Sequence, residues 1–291
     1  MSPFKKLALN IATKIIPVKN MRYKIYNKIA EGHFQKYKAS LTKLDKIKIS
    51  TRGGEKIYSV WFQGEESAPK LIHSCFDSIR KHCSQKLIVL DEKTLPNYID
   101  LPGVIMDKYK NGQIRKAAFS DIARVELLHN HGGFWMDATS FMLDKIPETI
   151  AEQDFYTFVQ RPENNPQWWA KVVVSHFIRA RKGSYLLAAW RELTLNYWRD
   201  ADKAFNYFWL HMLFKALAEN DDKAKKLFEK MPREFNGANW NQIANKKFDE
   251  KIWNDMLPEI FLLKTSYRNP MPDNLVPGSF ADFIINGKSA I

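Results

Sequence analysis

The chain has 291 residues, 45 Lys and Arg against 32 Asp and Glu (net charge +13), and 45% hydrophobic residues. That apolar fraction supplies a sizeable core and excludes a mainly disordered chain, and the length suits one large domain with appendages. No apolar run approaches the roughly 18–20 residues that span a bilayer, and the basic start lacks a signal peptide's continuous apolar stretch, so a cytoplasmic protein is expected.

The charge is uneven. Residues 1–50 hold twelve Lys or Arg against two acids, Glu31 and Asp45, so ten of the thirteen excess charges sit there. Leu7, Ile11, Ile15 and Ile16 fall near helical spacing among Lys5, Lys6 and Lys14. Met21 to Tyr37 interleaves Tyr23, Ile25, Tyr26, Ile29 and Phe34 with Lys24, Lys28 and Lys36. A basic amphipathic arm of this kind suits an anionic membrane surface, peripheral at the inner face of the cell membrane. It also suits the solvated face of a helix packed on a catalytic core. Nucleic acid is disfavoured, because no helix-turn-helix, RNA-binding sheet motif or zinc finger is visible. The arm, residues 1–50, is read as distinct from a domain spanning 51–291.

Thr51 to Glu55 reads as a turn and Ile57–Phe62 as a first buried strand stopped by Gln63-Gly64. Pro69 opens a helix to about Lys81, with Leu71, Ile72, Cys75 and Ile79 at core spacing. Cys75 and Cys83 lie too far apart along that helix to pair, and neither has metal-ligand spacing. Lys86–Asp91 is a second strand, Pro96–Leu101 a short helix or turn, and Gly103–Met106 a third strand. Ile114 to His129 is a helix ending at Gly132-Gly133 in an αL stop, and Phe134–Asp137 is a fourth strand. Phe155–Val159 is another strand, followed by long helical segments rich in Trp, Phe and Lys. Alternating strands and helices imply an α/β unit with a largely parallel sheet, which binds ligands beyond the carboxyl ends of its strands.

The most informative window runs from Ala117 to Met142. Asp121 and Arg124 stand at i, i+3 on one helix face, while Ile122, Val125 and Leu128 face the core. The next strand delivers Asp137-Ala-Thr139, two oxygen ligands on one side of a strand end. That arrangement suits a hard divalent cation holding a diphosphate. Taken singly, each piece is weak: an i, i+3 ion pair is usually a surface contact, and Gly-Gly after a helix is usually a cap. Their order and compactness give them weight.

Ser120-Asp-x-x-Arg124, then Gly132-Gly133, then Asp137-x-Thr139 resembles the motif block of the capsular polysaccharide synthesis proteins, similar to glycosyltransferase family 32 and the glycosylating toxins. Val60–Gly64, Pro69 and Ser78-Ile79 extend the resemblance upstream, and Lys264–Arg268 loosely downstream, so it covers roughly 57–268.

The resemblance implies a retaining glycosyltransferase of the A-type fold: a Rossmann-like α/β domain with a mostly parallel sheet, a basic N-terminal helical arm and helical C-terminal additions. It implies a nucleotide sugar as donor and a polysaccharide or lipid-linked oligosaccharide as acceptor. Asp121, Arg124 and Asp137 would be catalytic. Trp61, Gln63, Ser120, Trp135 and Tyr267 would join them in binding the donor, with Trp61 on the nucleobase and Trp135 against the ribose. Asp137, Thr139, Thr265 and Ser266 would hold Mn²⁺ or Mg²⁺. Thr139 stands where the family pattern has a second acid, so metal affinity is expected to be weaker, with Asp144 a possible substitute. Glu126 and Asp154 read as structural, His211 as a core histidine, and Trp168-Trp169 as either a sugar platform or core. The rival reading is a non-catalytic membrane- or polyanion-binding protein that keeps the fold, with Thr139 a sign of decay.

Overall fold

The computed structural model describes residues 19–50, 56–159, 172–233, 240–268 and 275–287. It begins with α1 (Lys19–Leu41), followed by a 3₁₀ turn over Thr42–Lys46. Ala30, Phe34, Leu41 and Leu44 are buried and belong to the main hydrophobic core. His33 Nε2 meets the Leu193 carbonyl at 3.0 Å. Lys36 and Tyr37 both reach Asp200, and Lys43 pairs with the buried Glu192 at 2.9 Å. Residues 19–46 are therefore not a free arm, because their apolar stripe is covered. Exposed pairs such as Lys36–Asp200 add little; burying Phe34 is what holds the helix down. The expected helix around Leu7 to Ile16 and the turn at 51–55 lie outside the described residues.

Five strands form the central sheet. β1 (Lys56–Val60) is followed by α2 (Lys70–His82) and β2 (Lys86–Leu90), and the two strands pair in parallel. α3 (Gly103–Lys110) and α4 (Lys116–His131) lead into β3 (Gly133–Met136), which pairs in parallel with β1. β4 (Ser140–Met142) leaves the sheet; β5 (Phe155–Val159) and β6 (Val173–Ala180) return to it. The order is β2-β1-β3-β6-β5, with β6 antiparallel to both of its neighbours. Four strands thus run one way and β6 the other: a mixed α/β sheet, mostly parallel. Trp61 and Asp137, each one residue past a parallel strand, lie along the same edge.

α5 (Tyr185–Asp200), α6 (Trp209–Asn220) and α7 (Asp222–Lys230) form a helical layer against α1 and α4. α4 is buried nearly all round, with Ile122, Ala123, Val125, Leu127 and Leu128 fully covered, as a helix between a sheet and a helical layer must be. The chain ends in β7 (Leu262–Lys264), which pairs antiparallel with β4, and α8 (Phe280–Asn286), which packs on α2.

Three expectations fail for physical reasons. Gly103–Met106 is helix, not strand. Pro102 at φ −52° presets the entry, and Ile105 and Tyr109, one turn apart, turn inward, with Tyr109 stacked 3.8 Å from Phe119. Residues 173–180 form β6 where helix was expected; the run Val172-Val-Val174 is β-branched and carried that signal. Gly132 is not in αL: at φ 67° and ψ −175° it adopts an extended left-side conformation open almost only to glycine. Gly133, at φ 109°, lies so close to β1 that a Cβ would stand 2.4 Å from the Lys56 carbonyl oxygen. The cysteines are both free, as expected.

Because Phe34 sits in the shared core, Phe34→Ala should destabilise the whole protein by about 3–5 kcal/mol. A shift below about 1 kcal/mol in urea unfolding would show that α1 is an independent appendage.

Candidate active site

The helix–strand pair α4 and β3 builds the centre. Arg124, on the buried part of α4, is almost out of water at 7% side-chain exposure. Its Nη2 meets Asp121 Oδ1 at 2.9 Å, one turn back. Its Nη1 donates to the Ser175 carbonyl at 2.6 Å and approaches Asp137 Oδ1 at 3.5 Å. Nε reaches the Ser120 carbonyl at 3.4 Å. One guanidinium therefore bridges two carboxylates and ties α4 to β3 and β6. The pair expected to be a surface contact if it were trivial is a buried one.

Alternation along β3 puts residues 135 and 137 on one face, so the Trp135 indole Nε1 donates to Asp137 Oδ1 at 2.8 Å. The same ring lies 5.0 Å from the Arg124 guanidinium carbon. Trp135 is fully buried, so it positions Asp137 and Arg124 and offers no face to a ribose. The β3–β6 register continues past the strand, with Asp137 N donating to the His176 carbonyl at 2.9 Å.

The two carboxylates are driven apart. Burial lifts Asp121 to about 6, helped by the charge of Asp137 and opposed by Arg124 and an indole hydrogen bond from Trp209. Burial also opposes ionisation of Asp137, but Lys264, Arg124 and His176 together outweigh it and hold this carboxyl well below the usual range. Such divergent pairs are typical of working sites.

A two-stranded sheet closes the cluster. The β4–β7 register sets Ser140 against Lys264, and Thr265 N donates to the Thr139 carbonyl at 2.9 Å. Lys264 Nζ thereby lies 3.0 Å from Asp137 Oδ2 and donates to Thr139 Oγ1. Thr265 Oγ1 donates to the Thr139 carbonyl at 2.9 Å and meets Cys75 Sγ. Burial pushes that thiol up to about 12.

This geometry does not fit a resident divalent ion. Of the four expected ligands, Asp137 and Thr139 already share an ammonium and Thr265 turns to a backbone carbonyl. Ser266 Oγ accepts from Arg268 N at 3.3 Å. Asp144 is exposed beyond β4 and accepts from Lys145 N, so it does not complete the set. No group of three or more His, Cys, Asp and Glu side chains able to hold a metal occurs among the described residues. A dication about 4 Å from both groups would be repelled by Lys264 as strongly as Asp137 attracts it, each on the order of 8 kcal/mol at an effective dielectric of about 20.

Trp61 and Tyr267 meet edge to face, 5.7 Å apart, and the buried Trp61 Nε1 has no hydrogen-bond partner among the described residues. Tyr267 also lines a cavity of about 420 Å³ with Pro69, Lys70, Leu71, Leu275 and Ile285. Gln63 is exposed, its carbonyl accepting from Ser67 Oγ, and Ser120 is half-buried beside Arg124. Glu126 makes a forked pair with Arg191, at 2.6 and 3.0 Å, and Asp154 pairs with Arg181. Both belong to the scaffold. His211 is half-buried against Phe208, and Trp168-Trp169 lie outside the described residues.

Lys264, His176 and Trp209 also belong to the cluster, outside the 117–142 window. Lys264 carried a faint signal inside Lys264–Arg268, and His176 a fainter one as the lone histidine of an apolar strand.

Fold and site together define an α/β protein with a buried acid–cation cluster beyond the carboxyl ends of parallel strands, where such sheets bind ligands. The chain belongs to the capsular polysaccharide synthesis protein family, whose sequence pattern it matches over residues 9–282. The structure is similar to a solved chain titled PaToxG Glycosyltransferase, at 14% identity and a TM-score of 0.41, over 72% of this chain and 84% of that one. No curated protein matches the chain.

Because Asp121 binds its proton more tightly folded than unfolded, its stabilising contribution is complete below about pH 4 and lost as pH rises through about 6. Asp121→Asn should therefore gain stability relative to wild type between pH 4 and pH 7 in urea titrations. A difference independent of pH would contradict this electrostatic picture.

Proposed function

We propose that the chain is a nucleotide-sugar-dependent glycosyltransferase of the A-type fold, acting with retention in capsule or cell-surface glycan synthesis on a polysaccharide or lipid-linked oligosaccharide. The observation that carries this reading is the buried Asp121–Arg124–Asp137 chain at the strand edge. Family membership supports it.

In such a transfer the anomeric C–O bond to the diphosphate breaks, and the nucleoside diphosphate leaves with the bonding pair. An acceptor hydroxyl forms the new C–O bond and passes its proton to an oxygen of the departing diphosphate. The enzyme's main task is to stabilise negative charge on the leaving oxygens in a site shielded from water. A cation held in place at the cluster does that without reorganising. Asp121, when ionised, accepts hydrogen bonds from sugar hydroxyls. Trp61 and Tyr267 supply aromatic surface and an indole donor for the base of the nucleotide. Arg124 acts chiefly by aiming two carboxylates, a task for a planar fork and not for a point charge.

Among the described residues no helix is long and apolar enough to cross a membrane. We place the proposed contact with an anionic membrane in residues 1–18 and in Lys24, Lys28 and Lys38, which are exposed on α1. Deleting residues 1–18 should weaken binding to anionic vesicles at low salt, where attraction is least screened, and leave the fold intact. Equal vesicle binding by both proteins would remove the arm from the proposal.

The test of the activity is release of nucleoside diphosphate from a panel of nucleotide sugars. Arg124→Lys and Asp137→Asn should each lose at least tenfold in turnover, about 1.4 kcal/mol of transition-state stabilisation, with unchanged circular dichroism. Full activity in Arg124→Lys would leave the guanidinium a structural role only. A wild-type chain that turns over no donor yet binds anionic vesicles would favour the non-catalytic reading.

A further inference from the structure

We infer that Lys264 itself supplies the cation that neutralises the donor's diphosphate, so that this site works without a divalent metal; the inference rests on the transferase reading above. The first observation is where Lys264 sits. Its ammonium lies between Asp137 Oδ2, at 3.0 Å, and Thr139 Oγ1, the two oxygens a dication would need.

The second is that backbone holds it there. The β4–β7 pairing fixes Lys264 opposite Ser140, and both the amide and the hydroxyl of Thr265 bond to the Thr139 carbonyl. The lysine is thus anchored within one residue of the strand end.

The third is access. The Lys264 side chain is 34% exposed, against 7% for Arg124. Arg124 spends four of its five donors on two carboxylates and two carbonyls and is nearly out of water, whereas an ammonium has three donors, of which two are engaged here. Among the described residues of this cluster, Lys264 is therefore the cation with a donor left for a phosphate oxygen, as a compact point charge. Asp137 holds the ammonium in place, and Thr139, uncharged, leaves its charge uncancelled by a second acid.

The test uses the full-length chain, stripped of metal, and calorimetric binding of UDP, GDP, ADP and dTDP in chelator or in Mn²⁺; electron paramagnetic resonance follows binding of Mn²⁺ alone. At least one diphosphate should bind about equally in both conditions. Lys264→Ala should lose at least tenfold in chelator, Lys264→Arg should retain most of the affinity, and Lys264→Ala, freed of its ammonium, should bind Mn²⁺ more tightly than wild type. Wild-type binding that requires Mn²⁺ would overturn the inference and leave the transferase reading intact. So would chelator-resistant binding that Lys264→Ala does not weaken. If no diphosphate binds in either condition, the transferase reading fails and this inference falls with it.

Discussion

A guanidinium placed nearly out of water sets the terms for the rest of the site. An unpaired buried cation is costly, and removing one partner of a buried pair costs several kcal/mol. Arg124 meets that demand with two carboxylates and two carbonyls drawn from α4, the β3 terminus and β6. Each contact restricts an element. A one-residue slip of β3 would turn Trp135 and Asp137 to the opposite face and leave the guanidinium without its second acid. The glycines act in the same cause. Gly133 lets β3 approach β1 where a side chain would strike the Lys56 carbonyl, and so fixes the depth at which Asp137 emerges.

The second constraint comes from far along the chain. β7 returns to pair with β4, delivering Lys264 and Thr265 to residues 139–140. α2 braces this closure, because Ser78 Oγ accepts from Met142 N at 2.9 Å and Cys75 Sγ meets Thr265. The first helix after β1 thus bonds to both sides of the β4–β7 closure, at Met142 and at Thr265. α6 adds a third contact through the Trp209 indole on Asp121. The contacts that hold the cluster thus come from elements spread over most of the chain.

What the sequence displayed was what local chemistry determines. The proline entry of α2, the glycine stop of α4 and the core spacing of both were legible, and Asp121, Arg124 and Asp137, which the structure brings together, fall within one short window. What it hid depends on partners. Gly103–Met106 looks like strand until Tyr109 finds Phe119. The basic stretch around Phe34 looks like an appendage until α5 and α6 cover it. Trp135 looks like a ligand platform, and only the packing of Arg124 over its ring shows it buried. Lys264 is one lysine among many until a register 125 residues long in sequence sets it beside Thr139.

Charge parity bears on whether Thr139 marks decay. Two carboxylates at such a turn carry two negative charges, which a dication balances. One carboxylate and one hydroxyl carry a single negative charge, which one ammonium balances, as Lys264 does here. A decayed site would leave Asp137 buried and uncompensated, and desolvation would then raise its carboxyl instead of letting it be held low. The opposite holds: Lys264 and Arg124, with a further contribution from His176, hold this carboxyl low despite burial. The uncharged Thr139 and the lysine on the facing strand therefore belong to one balanced arrangement. Among the described residues of this cluster Lys264 is the cation that reaches solvent, and Asp137 balances it.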